Sequence, residues 1–382
     1  MNFEPKQQTS ERDPYPVYRE LRDTHPLYRC KERELWVLSR FADVRAVLCD
    51  HGVFSSASGV VPSGFVPEKP LLIMMDPPRH DAVRAVVQRA FTPRRIRLLE
   101  ASVRSHTQRL VDALPSGGEV DLIEAFASPL PIYVISDLVG VEIENREMFK
   151  RCSDELIHGS DPQADSMLEA QRELFDYLER KVSKLRERPG DDLLSVLLDA
   201  SAEGGSLAPD DVLGFCYLLL LAGTETTTSA LGNALAALHE FPVERERLAR
   251  DPSLGPTAVE ELLRFDSPVQ GISRTLLREV QLHGQRIDAG ERVHVLLGAA
   301  NRDERVFAEP DRLDLGRAPN HHLAFGFGLH FCLGRSLARL ELGVALEALL
   351  ARAPDYALAT DDCVRVEADI NRGFTHLPAR LG

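Results

Sequence analysis

From Phe325 to Gly334 the chain reads Phe-Gly-Phe-Gly-Leu-His-Phe-Cys-Leu-Gly. Cys332 sits among Phe325, Phe327, Phe331 and Leu333, with a glycine two residues after it and a strongly periodic segment, Ser336 to Arg352, just beyond. That spacing predicts a thiol presented from a glycine-shaped loop at the start of a helix. Free N–H groups and the helix dipole favour the anionic form of such a cysteine, which then reacts or binds metal. The apolar ring argues against an exposed redox thiol. It suits a buried soft ligand to an iron otherwise held by a macrocycle, where thiolate donation favours O–O cleavage. A buried structural cysteine is the alternative.

Working outward, the longest helical candidate is Pro209 to Glu240, about 30 residues and therefore roughly 45 Å, enough to run through the whole molecule. Inside it lies Ala222-Gly223-Thr224-Glu225-Thr226-Thr227-Thr228. Hydroxyls that compete for backbone carbonyls, and a glycine, make this poor helix-forming sequence, and such local disagreement often marks a functional site. A groove beside Ala222 and Gly223 would let a flat cofactor or a diatomic ligand approach. Glu225 and Thr226 would supply an acid and a hydroxyl for moving protons; the alternative is a kink with a salt-bridged glutamate.

Phe325, Gly328, His330, Cys332 and Gly334 resemble the haem-binding loop of cytochromes P450, and the likeness extends from Pro14 to the end of the chain. It implies a mainly α fold with a small β-rich part, the cytochrome P450 fold, spanning residues 1–382 as a single haem domain. The implied cofactor is haem b, iron protoporphyrin IX, with Cys332 as axial ligand. By the same resemblance Thr226 holds iron-bound dioxygen and its ordered water, Glu225 feeds protons, and Ala222 and Gly223 line the oxygen groove. Glu261 and Arg264 match the family's E-x-x-R element, with Arg312 completing a buried ionic triad that braces the cysteine loop. Four donors far apart in sequence, His80, Arg84, Arg274 and His330, match positions that contact the two haem propionates, which need several converging donors.

The implied reaction is a monooxygenation of a lipophilic small molecule: hydroxylation, epoxidation or dealkylation with one atom of dioxygen. The substrate positions are Val60, Val61, Phe65, Leu218, Ala222, Val269, Gln270, Ile272 and Phe374, with Gln270 as the polar member that orients a substrate oxygen. A haem-thiolate enzyme that rearranges, dehydrates or couples its substrate, and a ligand-binding haem protein without turnover, are the alternatives. The Glu225-Thr226 pair disfavours both. The sequence shows no GxGxxG after a strand and no GxxxxGK[ST], hence no nicotinamide, flavin or nucleoside triphosphate site of its own. Electrons are then expected from a ferredoxin-type iron–sulfur protein fed by a flavin reductase. Arg94, Arg95, Arg97, Arg335 and Arg339 are either a basic docking patch or ordinary solvated charges.

Composition agrees. At 382 residues with 44% hydrophobic content the chain can bury a large core. A net charge of −14 points away from nucleic acid. Six scattered cysteines fit reduced thiols in a cytosol, and the polar stretch Met1 to Asp13 shows no secretory signal. Val212 to Leu238 is long enough to cross a bilayer, but Glu225 at its middle and its Thr, Ser, Gly and Asn content argue for a buried helix instead. His321, His322, His330 and Cys332 form no familiar zinc pattern, and a cysteine hydrolase would leave the long-helix motif unexplained. The expectation is a cytoplasmic protein without membrane contact, a monomer as is common in the family.

Further helices are predicted over Asp13 to His25, Phe41 to Cys49, His80 to Phe91, Arg94 to Leu114, Ser128 to Leu138, Arg146 to His158, Met167 to Arg188, Asp192 to Ala202 and Ala258 to Phe265, with Pro242 stopping the long helix. Strands are predicted around Lys31-Glu32-Arg33-Glu34 and between Val269 and Leu297. Ser55 to Pro70 reads as a long loop, which in a compact chain is usually functional.

Overall fold

The structure is a computed structural model that describes residues 3–64, 66, 69, 71–158, 165–188, 193–202 and 208–382. Phe65 and the turns expected at Asp161-Pro162, Pro189-Gly190 and Gly204-Gly205 lie outside those residues. The helix Pro209–Glu240 is continuous over 32 residues, its threonines included. Packed on it are the helices Pro129–Val139, Arg146–His158, Asp165–Glu187, Gly255–Phe265 and Arg335–Arg352. Leu213, Phe215, Leu220, Leu231 and Leu235 from the long helix and Leu342, Leu346 and Leu349 from the last one belong to one continuous apolar core.

Beside this helical body stands a five-stranded sheet in the order Leu27–Cys30, Leu35–Leu38, Arg292–Leu296, Gly271–Leu276, Phe54–Ser55. The second and third strands run parallel, and the other pairs are antiparallel. Alternation decides its two faces. Leu35, Val37 and Leu296 pack with Phe3, Tyr18 and Leu21 on one side, whereas Leu38, Val293 and Val295 pack with Leu48, Phe54 and Leu323 on the other. The sheet thereby carries Leu323, two residues upstream of the cysteine loop.

Most helix boundaries fall within three residues of those predicted, and the departures have local causes. Pro93 does not end a helix but opens Pro93–Ala113, capped by the Thr92 hydroxyl. Likewise Pro242, two residues past the end of the long helix, is the first residue of the helix Pro242–Arg250. Glu119–Asp121, too short for any periodicity to show, pairs with Pro378–Arg380 near the C-terminus. Among the described residues, no helix is long and apolar enough to cross a membrane.

One core position is electrostatically expensive. Glu341, in the helix Arg335–Arg352, is 2% exposed, and its Oε2 has no partner. Burial pushes its carboxyl from 4.5 up to about 8. Below the ordinary carboxyl range the folded and unfolded chains both hold this proton. As pH rises the unfolded chain releases it first, so stability is lost through the window up to the folded value. Glu341→Gln removes that step. Thermal melts across the same window are expected to show a smaller fall in Tm for the variant than for the parent protein.

Candidate active site

The cysteine loop has the shape its glycines predict. Gly326 and Gly328 both take φ +69°, and a Cβ on Gly328 would lie 2.6 Å from the Leu48 carbonyl oxygen, so no other residue fits there. The Cys332 N–H donates to the Phe325 carbonyl at 3.0 Å, which folds the loop back on itself. Gly334 then leads into the helix Arg335–Arg352. Burial pushes the Cys332 thiol up, against the backbone N–H groups of Gly334 and Arg335 and the charges of Arg335 and Arg84. A sulfur so placed is ionised by a metal more readily than by water.

The long helix offers one open patch. Ala222 is exposed and Glu225 and Thr226 are half-buried, in a helix whose neighbouring residues Leu219, Leu220, Thr224, Thr227 and Thr228 are buried. Thr226 Oγ1 donates to the Ala222 carbonyl at 2.5 Å. Gly223 departs from expectation: a Cβ there would meet Ile135 Cδ1 at 2.9 Å, so its missing side chain admits the helix Pro129–Val139 and does not line a groove. One residue along a helix is a turn of about 100°, enough to put Ala222 and Gly223 on different faces. Burial raises the Glu225 carboxyl while a hydrogen bond from the Asn371 side chain opposes it. Asn371, which the sequence reading missed, carries no motif and reaches the site only through the fold.

The four dispersed donors converge. The rings of His80 and His330 lie 4.7 Å apart, and Arg274, His80 and Arg84 all act on His330. Burial and these charges hold His330 down to about 3, so it is neutral, with Nε2 3.1 Å from Ser56 Oγ. Arg84 Nη2 donates to the Phe331 carbonyl at 2.6 Å. Arg274 is 3% exposed, donates to its neighbour's carbonyl, Ser273 O, and enters no ion pair among the described residues; burial drives its pKa down to about 10. His80 Nε2 is buried without a partner among the described residues.

Other expected positions divide. Val61, Leu218, Val269 and Ile272 are half-buried. Val60 and Phe374 are closed into the core at 4% and 5% exposure, Phe374 against Gly232 and under Arg365. Gln270 is 1% exposed and pressed against Gly298, with Nε2 donating to Ser267 O, so it does not face a substrate. Among the expected docking arginines, Arg94 and Arg97 are exposed, Arg335 bonds the Cys332 carbonyl, and Arg339 is paired with Glu260.

The brace also differs in one member. Glu261 and Arg264 have fully buried side chains joined by two hydrogen bonds of 2.8 and 2.9 Å. The third partner is Arg317, whose Nε lies 3.1 Å from both Glu261 oxygens. Arg312 contributes its backbone carbonyl to Arg264 and Arg317, while its side chain points outward to Glu309.

The cytochrome P450 family profile matches residues 255–353. The chain is 40% identical over 375 residues to putative cytochrome P450 123 of Mycobacterium tuberculosis (strain ATCC 25618 / H37Rv), covering 96% of this chain and 93% of that one. This chain belongs to the cytochrome P450 family. It is also 39% identical over 381 residues to vitamin D(3) 25-hydroxylase of Pseudonocardia autotrophica, covering 97% and 94% of the two chains. The solved structure of cytochrome P450 CYP109Q5 from Chondromyces apiculatus shares the fold, with a TM-score of 0.92 at 36% identity over 100% of this chain and 98% of that one. The protein is thus a cytochrome P450 monooxygenase, and the family's group is haem b on a cysteine thiolate.

The P450 donor set fits that group. A His80 nitrogen with no partner among the described residues, a buried Arg274 only partly offset by Asp76, and Arg84 beside the sulfur are what a ligand with two carboxylates would satisfy. A variant pair separates the two candidates for the brace. Arg317→Ala is expected to cost about 1–3 kcal/mol in denaturant unfolding, because it strips a donor from a buried carboxylate. Arg312→Ala is expected to stay within about 0.5 kcal/mol.

Proposed function

We propose that Cys332 is the axial thiolate, that His80, Arg84, Arg274 and His330 hold the haem propionates, and that Thr226 and Glu225 manage the protons of oxygen activation. The observation that carries this reading is the convergence of those four donors beside a half-buried thiol, with Arg274 in no ion pair among the described residues and only partly offset by Asp76. When bound, the haem supplies the iron at which dioxygen takes two electrons and is divided between substrate and water.

The chain's own part is positioning and proton supply. Thr226 rests with its hydroxyl on the Ala222 carbonyl, one turn back and next to the exposed Ala222 side chain, so a rotation about χ1 redirects it into the open space. Glu225 is adjacent, and burial raises its carboxyl toward the protonated form, which makes it a donor that Thr226 can relay. Phe325, Phe331 and Leu333 are half-buried apolar residues of the loop that carries the sulfur, and Gly334 opens the helix whose first N–H groups face it.

The substrate we infer is a lipophilic small molecule, with the half-buried Val61, Leu218, Val269 and Ile272 as its apolar contacts and Ala222 as the point nearest the reacting centre. The vitamin D(3) 25-hydroxylase relative points to a molecule of sterol size. Electrons come from a ferredoxin-type iron–sulfur protein served by a flavin reductase, since this chain has no flavin or nicotinamide motif. Arg94 and Arg97 are its exposed basic contacts; Arg335 and Arg339 are already engaged.

Purified protein, reduced and treated with carbon monoxide, is expected to show the absorption band of a thiolate-ligated haem, and Cys332→Ser to lose it. Haem absorption unchanged by that substitution would refute the ligand assignment. Thr226→Ala is expected to keep the band while the ratio of product to electrons consumed falls by about tenfold or more, the difference appearing as hydrogen peroxide.

A further inference from the structure

Arg292 opens the strand Arg292–Leu296, where it pairs in register with Leu35 on one side and Thr275 on the other. Its side chain leaves the sheet for the loop that begins at Ser55. Nη1 donates to Ser58 O at 2.8 Å and to Thr275 Oγ1 at 3.2 Å; Nη2 donates to Gly59 O at 3.1 Å and Val61 O at 2.6 Å. The intervening carbonyl, Val60 O, accepts from the Ser273 N–H at 2.7 Å. Four successive carbonyls of an irregular segment are thus satisfied from the sheet, three of them by one guanidinium.

Nothing else competes for that side chain. Among the described residues Arg292 enters no ion pair, and the acid beside it, Glu291, is taken by Arg29. Gly64 stands so close, at φ +74°, that a Cβ would lie 3.3 Å from Nη1. A second anchor sits at the root of the loop, where the Ser56 N–H donates to Asp76 and the Ser56 hydroxyl meets His330. The segment 56–61 is therefore held at one end by the propionate donor set and at its crest by Arg292. A lysine has one ammonium where the arginine has a planar fork, and it cannot reach three carbonyls in this geometry.

We propose that Arg292 is a positioning residue that latches the Ser58–Val61 crest as a wall of the substrate cleft, so that binding of a bulky ligand depends on it and the haem iron's own chemistry does not. This rests on the assignment of that loop to the substrate cleft. Arg292→Ala and Arg292→Lys, as full-length haem-loaded proteins, test it in two ways, and the lysine variant carries the test if the alanine variant folds poorly.

Amide hydrogen exchange without ligand is expected to be about tenfold faster at Gly59, Gly64 and Ser273 in both variants. Spectral titration with two azoles that ligate the iron is expected to separate size from chemistry: affinity for bulky clotrimazole falls about tenfold, and affinity for imidazole is unchanged. Unchanged exchange overturns the latch whatever the spectra show. Faster exchange with equal effects on both azoles overturns the wall. If neither azole moves the parent protein's spectrum, the haem-thiolate reading fails instead, and the exchange result does not depend on it.

Discussion

The structure turns on a charge imbalance kept out of water. Arg274 and Arg84 lie with His80 and His330 beside the Cys332 loop, and burial lowers the pKa of both arginines against only partial opposition, from Asp76 on Arg274 and from Cys332 on Arg84. A buried guanidinium, a half-buried one and an imidazole nitrogen without a partner among the described residues are costly alone and would become favourable if a dianionic ligand entered. The same ligand converts the cost of a buried thiol into a metal bond. These groups come from three elements: the helix Arg79–Gln88 carries His80 and Arg84, the strand Gly271–Leu276 carries Arg274, and the cysteine loop carries His330 and Cys332.

Holding those elements in register falls to a second buried cluster centred on Glu261. Its two oxygens accept from Arg264, Arg317, the Asp314 N–H and Asn320. Arg264 passes the connection to the carbonyls of Asn301 and Pro310. Asn301 in turn receives the Leu323 N–H at 2.6 Å. A buried ion pair by itself is poor evidence of stability. Here both Glu261 oxygens and the Arg264 guanidinium are used to tie an irregular stretch, residues 301–323, to a helix, and that stretch delivers Phe325 and Cys332 to their places. Its value is geometric.

These relations explain what could be read in the sequence. Cys332 with its glycines, the Ala222 to Thr228 run and Glu261 with Arg264 are local in sequence, so spacing gave their element, while the burial of the Glu261–Arg264 pair was implied only by the family resemblance. The long helix was legible from periodicity and length. What failed were assignments that depend on which way a side chain turns. Gly223 and Gln270 sit at expected positions but pack against Ile135 and Gly298, because one step along a helix or strand reverses or rotates the face presented. Arg312 and Arg317 are five residues apart in an irregular stretch with no period to decide between them, and the fold chose the second. Asn371 and Arg292 act through contacts hundreds of residues away in sequence, beyond any local pattern.

Asn371 shows how such a contact changes the chemistry. The segment Ile370–Gly373 lies directly on the long helix, with Gly373 so close that a Cβ would come within 2.9 Å of the Ser229 Cα. It is fixed to the turn before the strand Gly271–Leu276 by Gln270 N–H to Ile370 O and Arg372 N–H to Pro268 O, both 2.7 Å. The Arg372 guanidinium, bonded to Asp266 and to the carbonyls of Thr9, Glu11 and Arg12, leaves that segment little freedom. Asn371 is thereby held against Glu225 with its own Oδ1 unpaired. Burial alone would keep the Glu225 proton in place, and a strong cation beside it would keep the carboxylate ionised. A neutral amide does neither: it opposes burial only in part, which suits the carboxyl to the proton-supplying role proposed for it.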